Sequence, residues 1–136
     1  VTDAYRAAFE AWSLCLAQLP ACDLDAMVEH LTGDYALISR EQARRYSEGG
    51  HTVSSVESRL LTIESVSIDP SGAQATVISC EVDASVRYDA SGGVVNDDFG
   101  SLRRASILLL EDGRWRITGI ENLEVATGEE ANICAA

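Results

Sequence analysis

Apolar residues in the first part of the chain recur at spacings of three and four. Tyr5, Ala8, Phe9, Trp12, Leu16 and Leu19 form one such stripe, the pattern of an amphipathic helix with one buried face. Thr2 is positioned to cap its start and Pro20 stops it, because proline has no amide proton to continue the ladder. Asp23 then caps a short helix carrying Leu24, Met27, Val28 and Leu31, which ends at Thr32-Gly33. Asp34 caps a third helix, running through Tyr35, Ile38, Ala43 and Tyr46 to the stop at Gly49-Gly50.

Beyond Gly50 the period changes to two. Thr52 to Ile68 reads as one long strand, closed by the turn Asp69-Pro70-Ser71-Gly72. Ala75 to Tyr88 alternates, with Ile78, Cys80, Val82, Ala84, Val86 and Tyr88 on one face. Ser79, Glu81, Asp83, Ser85 and Arg87 occupy the other. The first set reads as the buried side and the second as solvated. Asp89-Ala90-Ser91-Gly92-Gly93 makes the next turn, with a loose loop to Asp98. Phe99 to Leu110 is a third strand, Glu111-Asp112-Gly113 a hairpin turn and Arg114 to Val125 a fourth strand.

This order predicts an α+β fold. Three N-terminal helices pack in the concavity of a curved, cone-like antiparallel sheet of four strands or slightly more. Strands of about a dozen residues twist and curl, which leaves a half-open cone with an apolar throat. The chain, 1–136, is expected to be a single domain, with residues 126–136 as a tail that delivers Cys134.

The same features resemble the nuclear-transport-factor-2-like (SnoaL-like) superfamily of cone folds. They are the opening Tyr5-x-x-x-Phe9-x-x-Trp12 helix, the short helix from Leu24 to Leu31 and the long hairpin strands. The segment Asp112-Gly113-Arg114-Trp115-Arg116-Ile117 is similar to the "dGxWrI" strand that ends many members. Within that group the chain most resembles small secreted or lipid-anchored domains of actinobacteria, where a "TVxxC" strand and a C-terminal cysteine recur. Here these are Thr76-Val77-Ile78-Ser79-Cys80 and Cys134. The resemblance implies a cone but no single activity, since the superfamily holds isomerases, dehydratases, epoxide hydrolases, polyketide cyclases and many non-catalytic members. Its enzymes place an Asp or His, often with a Tyr, inside the cone. No such set matches this chain residue by residue.

Net charge narrows the partners. At −12, from 22 acidic and 10 basic side chains, the chain lacks the clustered cations that bind phosphates, which excludes nucleic acid and anionic membrane surfaces. No apolar run approaches the ~18 residues that span a bilayer. Val1 opens directly into a polar helix start with no signal peptide; an exported protein would be represented here in its mature form, leader or anchor removed.

The cysteines point to the compartment. An even count, Cys15, Cys22, Cys80 and Cys134, reads as two disulfides and an extracellular or cell-envelope location. Cys15 and Cys22 flank the join of two helices, where a bridge would fix their angle. Cys80 to Cys134 would pin the tail across the sheet. Two other connectivities remain open for four cysteines. No CxxC occurs and neither His30 nor His51 is spaced to a cysteine pair, so no metal and no cofactor is expected.

Candidate chemistry is sparse. His30 could project into the cone mouth as a base, or simply satisfy the last carbonyls of its helix. Tyr35 could place its hydroxyl in the cavity; Tyr5, Trp12, Tyr46 and Tyr88 are the other aromatic candidates for binding, or plain core and rim residues. Arg103 and Arg104 are adjacent, so one faces in, and it needs a carboxylate if buried. Glu121 is the candidate, sharing the parity of Trp115, Ile117 and Leu123. The acidic pairs Asp97-Asp98 and Glu129-Glu130 read as solvated loop charge.

These features are read as an exported, non-catalytic domain that binds a small apolar ligand or a cell-envelope protein through the cone mouth. The alternative is an acid–base isomerase, dehydratase or cyclase, with His30 or the inward acid as base. A third is a homodimer packed sheet to sheet, against which the polar set Ser79, Glu81, Asp83 and Ser85 tells.

Overall fold

The computed structural model describes residues 1–135. Three helices come first: α1 (Thr2–Gln18), α2 (Leu24–Val28) and α3 (Gly33–Glu48). Seven strands follow: β1 (Thr52–Ser54), β2 (Leu60–Ile68), β3 (Gln74–Asp83), β4 (Val86–Tyr88), β5 (Val94–Asn96), β6 (Gly100–Glu111) and β7 (Arg114–Thr127). The main sheet is an antiparallel meander in the order β2-β3-β6-β7, and a small sheet runs β1-β4-β5. The fold is α+β and cone-like, as the periodicity predicts.

Helix starts differ from the expectation by one or two residues. Val1 and Thr32 occupy the cap positions of α1 and α3, so Thr2 and Asp34 fall inside the first turn. Asp23 does cap α2, accepting from the Ala26 amide at 3.1 Å. That helix ends at Val28, short of Thr32-Gly33, because Leu31 and its neighbours bond to β7 instead. Thr32 N–H donates to Ile117 O at 2.9 Å and Ile117 N–H to His30 O at 3.0 Å.

Two expected strands are each split. Residues 52–68 break at Ser55, whose φ of 58° lies in the left-handed region, and a 3₁₀ turn spans Val56–Ser58. The second expected strand breaks after Asp83. Its Oδ1 accepts from the Ser85 amide at 2.9 Å, an Asx turn that ends β3 and sends β4 into the small sheet.

The faces of β3 are also reversed from the expectation. Ala75, Val77, Ser79 and Glu81 point toward the helices and are buried. Cys80 and Val82, equally buried, point outward. The tail covers them: Cys80 is bonded to Cys134, and the Ile133 amide donates to Ser101 Oγ at 3.2 Å. A strand covered on both sides carries no single apolar face, so alternation alone cannot orient it. The polar set Ser79, Glu81 and Asp83 therefore does not tell against a sheet-to-sheet dimer, since it faces into the cone.

The core lies where α1 crosses the sheet and gathers Tyr5, Ala8, Val77, Leu108 and Ile117. Tyr5 also carries the polar center of this contact, its hydroxyl 2.8 Å from Ser79 Oγ and 3.1 Å from Ser106 Oγ. A second cluster, Cys15, Met27 and Ala43, joins the three helices, and the Cys15–Cys22 bridge lies beside it.

Loop length ranks the two bridges. Cys80–Cys134 spans 54 residues and Cys15–Cys22 spans 7; chain entropy gives about 4 and about 2.5 kcal/mol respectively. Replacing Cys80 and Cys134 by Ala should lower unfolding free energy in denaturant more than replacing Cys15 and Cys22. Tyr5→Phe leaves two buried serines without their shared partner and should cost about 1–3 kcal/mol in the same assay.

Candidate functional site

The cone encloses a cavity of about 850 Å³ between the helices and the concave face of the sheet, a volume in the usual range for small-molecule sites. On its helical wall α1 and α2 contribute Phe9, Trp12, Leu16 and Met27, while α3 adds the polar Asp34, Ser39 and Gln42. Ile38 and Val125 line the cavity while 63% and 65% exposed, which places apolar side chains at its mouth beside the exposed Asn96, Asp98 and Thr127. The sheet side is different. Glu81, Asp83 and Arg104 project from β3 and β6, and Arg59 enters from the segment before β2.

These four groups form two unequal pairs. Arg59, its side chain only 8% exposed, has Nε 3.3 Å from Asp83 Oδ2. Its Nη1 donates to Ser13 Oγ at 2.8 Å, and the guanidinium lies 5.1 Å from the center of the Phe9 ring, a cation–π distance. Arg104 is less well held. Nη1 stands 3.7 Å from Glu81 Oε1, beyond hydrogen-bond range, and its buried Nε, like that of Arg59, has no hydrogen-bond partner among the described residues.

Burial governs the ionisation of the floor. Desolvation pushes the Glu81 carboxyl above its usual value, although Arg104 and Arg59 pull it down. Desolvation raises Tyr35 as well, opposed first by the charge of Arg104. Tyr5 is raised by burial, with its serine hydrogen bonds acting the other way.

Sequence-predicted residues divide between the cavity and the outside. Tyr5, Trp12, Tyr35 and Tyr46 line the cavity. Tyr46 stacks on His51 at 5.6 Å and carries the Arg87 guanidinium 4.5 Å from its ring center. Tyr88 belongs to the small sheet, where Ser54 Oγ donates to its hydroxyl at 3.4 Å. His30 follows α2, engaged through its carbonyl with β7.

Glu121 does not meet the inward arginine. Register shifts in the β6–β7 pairing, at Ile107/Leu108 and Arg103/Arg104, insert extra residues in β7. The first moves Glu121 opposite Ala105 and onto the outer face, exposed. Arg104 finds Glu81 instead, a residue expected to be solvated. Glu81, Asp83 and Arg59 are the three floor residues that the pattern of the chain does not reveal; only the need of a buried arginine for a carboxylate hinted at the first.

No group of three His, Cys, Asp or Glu side chains among the described residues is arranged to hold a metal ion. No helix among them is long and apolar enough to cross a membrane.

Comparison with solved structures recovers the cone. The intermembrane space region of the chloroplast protein ARC6 superposes with a TM-score of 0.70 at 16% identity, covering 88% of this chain and 93% of that one. A ketosteroid isomerase-like protein from Erwinia carotovora atroseptica SCRI1043 gives 0.58 at 15% identity, covering 91% and 94%. A SEC-C motif containing protein from Rhodopseudomonas palustris gives 0.50 at 17% identity, covering 89% and 77%. The likeness is one of fold. No protein-family model matches the sequence, and no curated protein does.

The sign of the Glu81 shift gives a test. A carboxyl raised in the folded state favours folding while protonated and loses that contribution as pH rises through its folded value. Glu81→Gln should therefore gain stability relative to the parent as pH climbs from acid to neutral, read as a widening gap between their melting temperatures.

Proposed function

We propose that this chain is an exported, non-catalytic binding domain whose cone takes up one small, largely apolar molecule. The observation that carries this reading is the cavity itself, open to solvent, with apolar and aromatic side chains of α1 opposite a charged floor and polar groups such as Asp34 and Gln42 also on its lining. Such a division suits a ligand with an apolar body and one polar end. The two disulfides support an oxidising compartment, extracellular or in the cell envelope. The tail tethered by Cys134 crosses the outer face of the sheet, which supports use of the cone mouth over a second copy packed on that face.

A second reading has one observation in its favour. Glu81 is a carboxyl raised by burial and facing a cavity, the condition in which such a group serves acid–base chemistry. In an isomerase, dehydratase or cyclase built on this cone, Glu81 would be the base and Tyr35 the donor. The fold shared with a ketosteroid isomerase-like protein supports the two readings equally.

Titration with the neutral fluorophore N-phenyl-1-naphthylamine tests the binding reading. Saturable enhancement at one site per chain is expected, weakened at least severalfold by Ile38→Arg, which sets a charge at the exposed mouth without touching the core. Unsaturable enhancement, or binding indifferent to Ile38→Arg, would overturn it.

A further inference from the structure

The two adjacent arginines of β6 are treated very differently by their surroundings. Arg103, on the outer face, donates to Glu64 at 2.6 Å, to Glu124 at 2.9 Å and to the Ile133 carbonyl at 3.3 Å. Arg104, on the inner face, is more buried than Arg103, with side-chain exposures of 18% and 29%. Yet it has only the 3.7 Å approach to Glu81, and a buried Nε with no partner among the described residues. Buried polar groups are satisfied in nearly all folded proteins, and an exception calls for a missing partner. A guanidinium presents its N–H groups in a planar fork, which a carboxylate meets with two parallel bonds.

The rest of the floor says which charge is wanted. Asp83 is paired with Arg59, whose Nη1 donates to Ser13 and whose guanidinium lies over the Phe9 ring, although its buried Nε, like that of Arg104, makes no hydrogen bond among the described residues. Glu81 is faced by Arg104 from β6, Arg59 from the segment before β2, Asp83 on its own strand, Tyr5 from α1 and Tyr35 from α3. Burial raises its carboxyl against the pull of Arg104 and Arg59, which weakens its hold on Arg104; a protonated carboxyl would also have a hydrogen to donate. A ligand cation would meet an arginine and a carboxyl that resists ionising. One ligand anion would complete the set.

Resting on the binding reading above, we propose that Arg104 and Glu81 form a head-group subsite. The ligand of the cone is then a monocarboxylate with an apolar body, its carboxylate held by the Arg104 fork beside the Glu81 side chain. The apolar body lies along Phe9, Trp12 and Leu16 toward the mouth at Ile38.

Three probes of equal chain length separate the alternatives: decanoate, decanol and decylamine, titrated at neutral pH against the disulfide-bonded protein. Trp fluorescence and native mass spectrometry report binding. Decanoate should bind about tenfold or more tightly than decanol, as expected for hydrogen bonds to a charged group, and decylamine weakest. Arg104→Gln should erase the preference for decanoate while decanol still binds, which also shows that the cone is intact. Glu81→Gln, a permanent neutral mimic, should bind decanoate at least as well as the parent. Decanol or decylamine binding best, Arg104→Gln keeping the preference, or Glu81→Gln losing it would each overturn the carboxylate assignment while leaving the binding domain standing. Binding of none of the three would remove both. If Arg104→Gln fails to fold, the rank order of the probes on the parent protein decides.

Discussion

Strand β3 is covered on both faces, and most of the architecture follows from how that is done. On its concave side α1 lays Tyr5 and Ala8 over Val77 and Ser79, with the Tyr5 hydroxyl shared between Ser79 and Ser106. On its convex side the last residues of the chain return over Cys80 and are bonded to it. A sheet of four strands exposed on its outer face would have to rely on one layer of helices for its burial. The tail supplies a second, small layer, and the covalent bond removes the entropy that a short terminal segment would otherwise regain by detaching. Arg103 reinforces the same closure by joining Glu64, Glu124 and the Ile133 carbonyl across the outer face.

With its outer face secured, β3 can present polar side chains to the interior. Ser79, Glu81 and Asp83 descend its concave side in sequence, from the packed core at α1 to the open floor of the cavity. The charge on that floor is balanced by arginines from two other elements, yet the balance is uneven. Outside, Arg103 hydrogen-bonds Glu64 and holds its carboxyl below the usual range. Inside, desolvation outweighs two arginines and holds Glu81 above it. The same pair of residue types thus makes a surface clamp on one face and an incompletely satisfied pair on the other, and solvent access decides which.

The helices, the long hairpins and the order of elements are legible from periodicity, because the two long helices each bury one stripe and stop near Pro20 and at Gly49. The breaks within strands are harder. Three Asp-x-Ser turns occur, at Asp69, Asp83 and Asp89, each with the aspartate accepting from the serine amide. The first and third sit beside glycines and read as turns. The second has no glycine or proline beside it and hides inside an alternating run, though its chemistry is the same. The floor of the site was illegible for a related reason. Parity fails where the chain adds a residue, and β7 does so twice, which carries Glu121 outward. It also fails where both faces are buried, which conceals the inward direction of Glu81.

The position of Glu81 is fixed from behind more firmly than from in front. Its neighbour Cys80 is covalently tied to the tail, and Cys134 Sγ lies 3.5 Å from the Glu81 carbonyl oxygen. Across the sheet its backbone pairs with Leu61 on one side and Leu102 on the other. The backbones of Glu81 and Arg104 are thus both set by strand pairing, and the 3.7 Å between their side chains is left to side-chain torsions alone. Rigid elements on both sides therefore place two complementary groups on one floor without bringing them within hydrogen-bond distance. In a collapsed core that separation would be closed by repacking; beside a cavity of this size a third group can approach both from the open side.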